Sequence, residues 1–214
     1  MTDKAIQTTN EKEPETLVLK PSKGFQFINL RDLWTYRELA YFLTWRDIKV
    51  RYKQTILGAA WAILQPLMQM IVFNFIFGNI ADIPTDGIPR PVFTYAALLP
   101  WNLFAKALSS SARSLVSNRN MITKVYFPRV LIPVSTVLGG VVDFAIAFII
   151  LIGMMFAYQL VPTWEIILLP LFVLLAIISS LGVGLWLSAL NVLYRDVGYI
   201  IPFLTQFWLF ATPI

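Results

Sequence analysis

Residues 166–193 read IILLPLFVLLAIISSLGVGLWLSALNVL, a run without one Asp, Glu, Lys or Arg. A hydrocarbon layer of about 30 Å is crossed by roughly 20 apolar helical residues, so this stretch is long enough by itself. Similar gaps in charge recur at residues 54–81, 144–164 and 197–214. Across all 214 residues the chain is 57% hydrophobic and 14% charged, whereas a soluble domain carries about a quarter charged residues. There is too little polar surface to cover a globule in water. The sequence is that of an integral membrane protein.

Hydropathy along the chain predicts five spans, at about 56–77, 92–112, 130–158, 166–193 and 197–214. Only helices and closed barrels satisfy their backbone groups in lipid. Barrel strands alternate polar and apolar residues over about ten positions, which these runs do not, so the expected fold class is all-α. The third and fourth runs exceed what a perpendicular helix needs and are expected to tilt or protrude. Orientation follows from the basic residues. Ten of the seventeen Lys and Arg lie up to Lys53; Arg113, Arg119, Lys124 and Arg129 separate spans two and three, and Arg195 separates spans four and five. Arg90 falls on the opposite side and Lys106 inside span two. The positive-inside rule then puts the N-terminus, the 113–129 loop and the 194–196 turn of a multi-pass membrane protein in the cytoplasm. The net charge of +5 is accounted for by topology, and no nucleic-acid partner is expected.

Residues 1–24 are polar, with no apolar signal core, and are expected to form a disordered cytoplasmic tail. Within 25–53, Leu33, Tyr36, Leu39, Ala40 and Leu43 fall at helical spacing among basic residues, with Trp34, Tyr41 and Trp45 suited to the headgroup level. This predicts an amphipathic helix lying along the cytoplasmic leaflet; a plain basic anchor fits the same composition. The chain has no Cys and no His, which excludes thiol chemistry, Cys/His zinc sites, haem ligation by those residues and Ser-His-Asp triads. No GxxxxGK[ST] phosphate cradle occurs. Any ATP used must therefore be hydrolysed by another chain, and no metal or cofactor is expected.

Specific motifs then become informative. Residues 51–67 read RYKQTILGAAWAILQPL, span two carries Leu98-Leu99-Pro100-Trp101, and residues 118–129 read NRNMITKVYFPR, with Pro133 following. Span three contains Val142-Asp143-Phe144, and span four ends in NVLYRDV at 191–197. In this order and spacing the chain resembles the permease subunits of type-2 ATP-binding-cassette exporters. The resemblance is to the branch that exports polysaccharides and polyol phosphates such as O-antigen, capsule and teichoic acid, and it covers about residues 30–214. It implies a homodimer of six-helix permeases, two cytoplasmic ATP-binding-cassette ATPases, and a glycan cargo linked to a membrane lipid. Such permeases continue through short re-entrant external helices and a sixth span, whereas this chain stops at Ala211-Thr212-Pro213-Ile214. Five spans of an expected six, in a truncated product or fragment, are therefore anticipated.

Candidate functional residues follow. In the loop, Asn118, Arg119, Asn120, Lys124 and Arg129 are mixed with Met121, Ile122, Val125, Tyr126 and Phe127. A solvated loop has no use for five apolar residues, but a surface docked on another protein does. The resemblance implies that this is the coupling helix fitting a cleft on the ATPase; the alternative is a connector with its apolar side on lipid. Pro128 and Pro133 are expected to stop that helix and start the next span. Lys106 and Asp143 are the clear mid-span charges, each costing about 2.5–3.5 kcal/mol on insertion scales. Lys106 lies about ten residues, and Asp143 about twelve, from the cytoplasmic ends of their spans, so their depths agree within roughly 3 Å. Consecutive antiparallel helices usually pack side by side. This predicts an ion pair or shared polar network, with Lys106 facing the pathway to meet a lipid pyrophosphate as the alternative.

Gln65, Gln69 and Asn74 point to an inward face of span one, because lipid-facing amides are costly; with Trp61 and Phe73 they are the candidate translocation path. Tyr95, Trp101 and Phe104 fit either a glycan conduit or the aromatic belt expected at the outer interface. Gly139-Gly140, Gly182, Gly184 and Ser179-Ser180 allow close helix approach. Tyr194, Arg195 and Asp196 form a charged cytoplasmic turn, suited to local pairing or to touching the ATPase. Two other functions compete. An ion-coupled secondary transporter predicts more buried carboxylates and broken helices. An intramembrane glycan enzyme needs a paired carboxylate, yet Asp82 and Asp86, flanked by Pro84 and Gly87, read as turn residues. Neither accounts for the amphipathic stretch at 118–127.

Overall fold

A computed structural model describes residues 34–53, 60–76, 87–161 and 164–212. The 1–24 tail, residues 25–33, the ends of the first span and the Asp82/Asp86 turn lie outside the described residues. All regular elements among the described residues are helical: α1 (Arg37–Lys53), α2 (Ala60–Phe75), α3 (Arg90–Ser117), α4 (Arg119–Ile122), α5 (Leu131–Ala157), α6 (Leu169–Leu193) and α7 (Val197–Ala211). A 3-10 turn, Trp164–Leu168, leads into α6.

Leu131–Ala157 and Ile166–Leu193 are long and apolar enough to cross a membrane. The 27 residues of α5 extend about 40 Å at 1.5 Å per residue, so this helix overreaches the hydrocarbon layer. Pro133 stands in its first turn, where a missing N–H breaks no helical bond. Its far end closes on Gln159, whose φ of 55° is left-handed. Leu160 N–H then reaches Met155 O at 2.9 Å and Gln159 N–H reaches Phe156 O at 3.1 Å, the paired bonds of a Schellman cap. The helix over the predicted second span, α3, is longer than hydropathy suggests. Its apolar stretch stops at Arg113, but residues 113–117 contain no Gly or Pro, and the helix runs on to Ser117. The shorter apolar helices α2 and α7 have 16 and 15 residues.

The core is built around α3, which packs against α2, α5, α6 and α7. Val92, Tyr95 and Leu99 of α3 bury against Ala147 and Leu151 of α5. Further along, Leu108 and Ala112 bury against Leu187 of α6 and Ile201 of α7. The outer surface of α6 shows Leu171, Phe172, Leu175, Ile178 and Trp186 exposed, an apolar face that suits lipid and not water. On the inner side of α6, a Cβ on Gly184 would stand 2.6 Å from Ser111 Oγ and 2.7 Å from Ser111 Cβ. Only glycine permits α6 to sit this close to α3.

The N-terminal helix departs from expectation. Thr44 Oγ1 donates to Ser135 O at 3.3 Å, Ile48 lies over Gly139, and Tyr52 reaches Asp143. Steps of four on α1 match steps of four on α5, which requires two helices running side by side in the same direction. Over its C-terminal half, therefore, α1 follows α5 instead of lying across the end of the bundle along a leaflet. The small residues Ser135 and Gly139 admit it, and Asp143 gives its terminal charges a partner.

The Gly184 contact gives a direct test. Gly184→Ala should lower the thermal stability of the detergent-solubilised protein, with an overpacking cost of about 1–3 kcal/mol. Gly182→Ala should leave it unchanged or slightly raised, because a Cβ there meets nothing within 4 Å. Equal melting temperatures for the two variants would remove the close approach as the reason for Gly184.

Candidate functional site

Asp143 sits on α5 with its side chain 8% exposed. Its Oδ2 meets both Lys106 Nζ from α3 and an Arg51 guanidinium nitrogen from α1, while Oδ1 accepts from the Tyr52 hydroxyl. Arg51 also reaches Gly139 O at 3.5 Å. A lone carboxylate at this depth would carry a large desolvation cost; two cations and a phenol offset it. Depth arithmetic places Lys106 beside Asp143 but does not find Arg51 and Tyr52. The available signal is RYKQ itself, whose charges a membrane surface explains equally well.

Lys106 and Asp143 stand on the wall of a cavity of about 450 Å³. Trp61, Gln65, Gln69 and Phe73 line it from α2, Trp101 and Asn102 from α3, and Thr205 and Gln206 from α7. Asn102 Nδ2 donates to Gln69 Oε1 at 2.8 Å, which fixes one amide of the wall. Asn74 does not line the cavity; its Oδ1 is buried without a hydrogen-bond partner. Tyr95 belongs to neither conduit nor belt, being buried with its hydroxyl on Ala147 O at 3.1 Å. Phe104 packs on the α3–α6–α7 core and against the Trp101 ring, 5.8 Å between centroids. Among the described residues, no group of acidic side chains is placed to hold a metal ion.

The 118–129 segment contains only one helical turn, α4, of four residues. Asn118 Nδ2 caps back onto Ser114 O at 2.9 Å, and its Oδ1 accepts from Arg46 of α1 at 2.8 Å. Phe127 is 6% exposed and packs with Leu43, Leu131 and Ile132; Met121 and Ile122 lean on the same cluster. The expectation that all five apolar residues form a docking face is therefore corrected. Phe127 is core, because it immediately precedes the turn into α5 and its ring folds under the loop. Val125 and Tyr126 are the outward apolar residues, 57% and 69% exposed, beside exposed Arg119, Asn120, Lys124 and Arg129. Tyr194, Arg195 and Asp196 are likewise exposed. Asn191, just before them, donates from Nδ2 to Ala112 O at 3.1 Å, tying the end of α6 to α3.

Removing the shared carboxylate should matter more than removing one of its cations. Asp143→Ala removes the carboxylate that Arg51, Lys106 and Tyr52 share, and breaking a buried pair costs about 3–5 kcal/mol. The Lys106 side chain is 41% exposed, and Arg51 remains on Asp143 without it, so Lys106→Ala should cost clearly less. Thermal unfolding in detergent reads both; an equal loss would contradict the central role of Asp143.

Similarity to known proteins extends over most of the chain. The sequence profile of the ABC-2 type transporter membrane family matches residues 38–214, from α1 onward. Over 186 residues the chain is 33% identical to the O-antigen export system permease protein RfbA of Myxococcus xanthus, spanning 86% of this chain and 70% of that protein. A Klebsiella pneumoniae protein of the same name is 30% identical over 181 residues, 83% of this chain and 68% of its own length. The polysialic acid transport protein KpsM of Escherichia coli is 25% identical over 175 residues, 75% of this chain and 63% of that protein. The motifs 51–67, 118–129 and 191–197, the Asp143 cluster and the cavity all fall inside the matched region, and the chain belongs to the ABC-2 type transporter family of membrane proteins.

Proposed function

We propose that this chain is the membrane-spanning permease subunit of an ATP-driven exporter that moves lipid-linked polysaccharide or polyol phosphate across the inner membrane. As an ABC-2 type permease it works with an ATP-binding-cassette ATPase that hydrolyses the nucleotide. Its relatives are named for export of O-antigen and transport of polysialic acid, and the proposed cargo class follows theirs. The observation that carries it furthest is the cavity. Trp61, Phe73 and Trp101 offer ring faces on which the C–H face of a sugar stacks, and Gln65, Gln69 and Asn102 offer amides for hydroxyl groups. Asp143 is engaged by three donors, an arrangement that suits a structural ion cluster and not the free carboxylate of an ion-coupled carrier.

In this proposal two permeases form a homodimer in the bilayer. Each has six spans in the complete architecture, of which five lie in this sequence. The N-terminus, the 118–129 loop and the 194–196 turn face the cytoplasm, as the distribution of Lys and Arg indicates. The ATPase docks on the loop through Val125 and Tyr126, with Arg119, Lys124 and Arg129 around them. ATP-driven closure of the ATPase moves the loop, the helices tilt, and a path opens for the cargo.

Two outcomes test the proposal. Val125→Ala combined with Tyr126→Ala should abolish co-purification of the ATPase while leaving thermal stability intact. Phe127→Ala should instead destabilise the permease by about 3–5 kcal/mol, as a truncated core aromatic does. An ATPase that still co-purifies with the Val125/Tyr126 variant would defeat the docking assignment. Because the chain has no cysteine, a single Thr123→Cys gives a clean topology probe. A membrane-impermeant maleimide should label it in inside-out vesicles and not in intact spheroplasts; the opposite pattern would invert the topology.

A further inference from the structure

The ion cluster and the cavity share one prominent side chain. Lys106 reaches Asp143 Oδ2, yet its side chain remains 41% exposed on the cavity wall, against 8% for Asp143. An ammonium has three N–H bonds to donate. Among the described residues, Asp143 is the one acceptor that Lys106 meets, so donor capacity is left over on the cavity side. Nor does Asp143 belong to Lys106 alone. The same oxygen meets Arg51, and Oδ1 accepts from Tyr52, neither of which lines the cavity. Lys106 and Asp143 are the only ionisable residues among the described lining. The cavity therefore meets an ammonium in front and, behind it, a recessed carboxylate on which a second cation already draws. Its field is positive, and low-dielectric walls concentrate such a field. The surroundings of the ammonium suit a sugar. Asn102, held by Gln69 at 2.8 Å, stands one turn before Lys106 on the same face of α3. The Trp101 ring lies five residues before it, about 7.5 Å along the helix. A saccharide that stacks on the ring and bonds to the amides presents its substituents to Nζ.

We propose that the cavity selects saccharides that carry an oxyanion, a phosphate or a carboxylate, and that Lys106 is the residue that binds this group. Asp143 holds the ammonium in place when no cargo is present, so the mid-span ion pair and the cavity-facing lysine are one arrangement. Lysine acts as a point charge without the planar fork of arginine, and it accepts either anion. The oxyanion comes from the phosphate that joins a glycan to its lipid or from acidic groups along the polymer. The proposal rests on the assignment of the cavity to the cargo path, and the experiment separates the two.

The test uses the full chain in lipid nanodiscs, with tryptophan emission as the readout because Trp61 and Trp101 stand in the wall. Three probes are titrated: a neutral oligosaccharide on polyprenyl pyrophosphate, a lipid-free oligosaccharide with a carboxylate on each unit, and uncharged maltohexaose. At least one acidic probe should bind more tightly than maltohexaose. A response to the first alone assigns the oxyanion to the lipid linkage, and a response to the second alone assigns it to the polymer. Lys106→Gln, which keeps a donor for Asp143, should weaken the acidic probe about ten- to a hundred-fold, the worth of a hydrogen bond to a charged group. It should leave maltohexaose within about two-fold. Lys106→Arg should restore part of the loss. Gln65→Glu guards against misfolding of the Lys106 variants: it adds a negative charge to the wall on α2, leaves the Asp143 cluster intact, and should also weaken the acidic probe. Maltohexaose binding as tightly as the acidic probes, or acidic binding unchanged in both Lys106→Gln and Gln65→Glu, would overturn the oxyanion site while leaving the cavity as the cargo path. Binding of none of the three probes to the parent would overturn both assignments.

Discussion

The arrangement of α1, α3 and α5 depends on one buried carboxylate. Asp143 lies roughly midway along an otherwise uncharged helix, and no backbone or water is needed to explain its tolerance there. Lys106 reaches it from α3, and Arg51 and Tyr52 from α1. Each of the three helices would bear an uncompensated polar group if the others moved away, because a charge taken out of water must keep its partner. The ion cluster specifies which face of α1 meets α5, and it does so at the point where the cavity begins. Apolar contacts in a bilayer cannot supply that selectivity, since lipid tails compete equally well for the same surfaces.

Away from that cluster, proximity replaces charge. Gly184 lets α6 rest against Ser111, and Asn191 reaches across to the Ala112 carbonyl. These contacts make α3 a shared axis for α5, α6 and α7. The cavity opens on the side of α3 that faces α2, where bulky rings and amides replace small residues. One helix thus serves both as the packed spine and as the wall of the cavity, with Ser111 on one face and Trp101, Asn102 and Lys106 on the other.

What the amino-acid order reveals, and what it hides, follows from which physical signals are local. The helices α5 and α6 are legible because a charge-free run of that length has few alternatives. The neighbourhood of Lys106 and Asp143 follows from counting residues inward from two adjacent helix ends. Four of the five candidate path residues line the cavity, because amides and rings on one face of an apolar helix leave little else for that face to do. Asn74 lies one position past Phe73 and so turns to a different face. Arg51 and Tyr52 were invisible as ligands because basic and aromatic residues at a membrane boundary already have an adequate explanation there. In sequence, Phe127 reads as outward beside Tyr126 for a related reason. Composition says that a loop is apolar, but only the direction of the chain entering α5 says which ring turns inward. The placement of α1 alongside α5 depends on Ser135 and Gly139, small residues whose meaning appears only once a partner helix is known.

The far end of α5 shows how the helix stays compatible with its surroundings. The left-handed Gln159 lets the N–H groups of Gln159 and Leu160 turn back onto the carbonyls of Phe156 and Met155, and Leu160 folds onto the core of α3 and α5. Terminal carbonyls that ordinarily look to water are satisfied by the chain itself. The cap lowers the cost of bringing these two carbonyls near the acyl region, while the Gln159 side chain stays exposed at the tip.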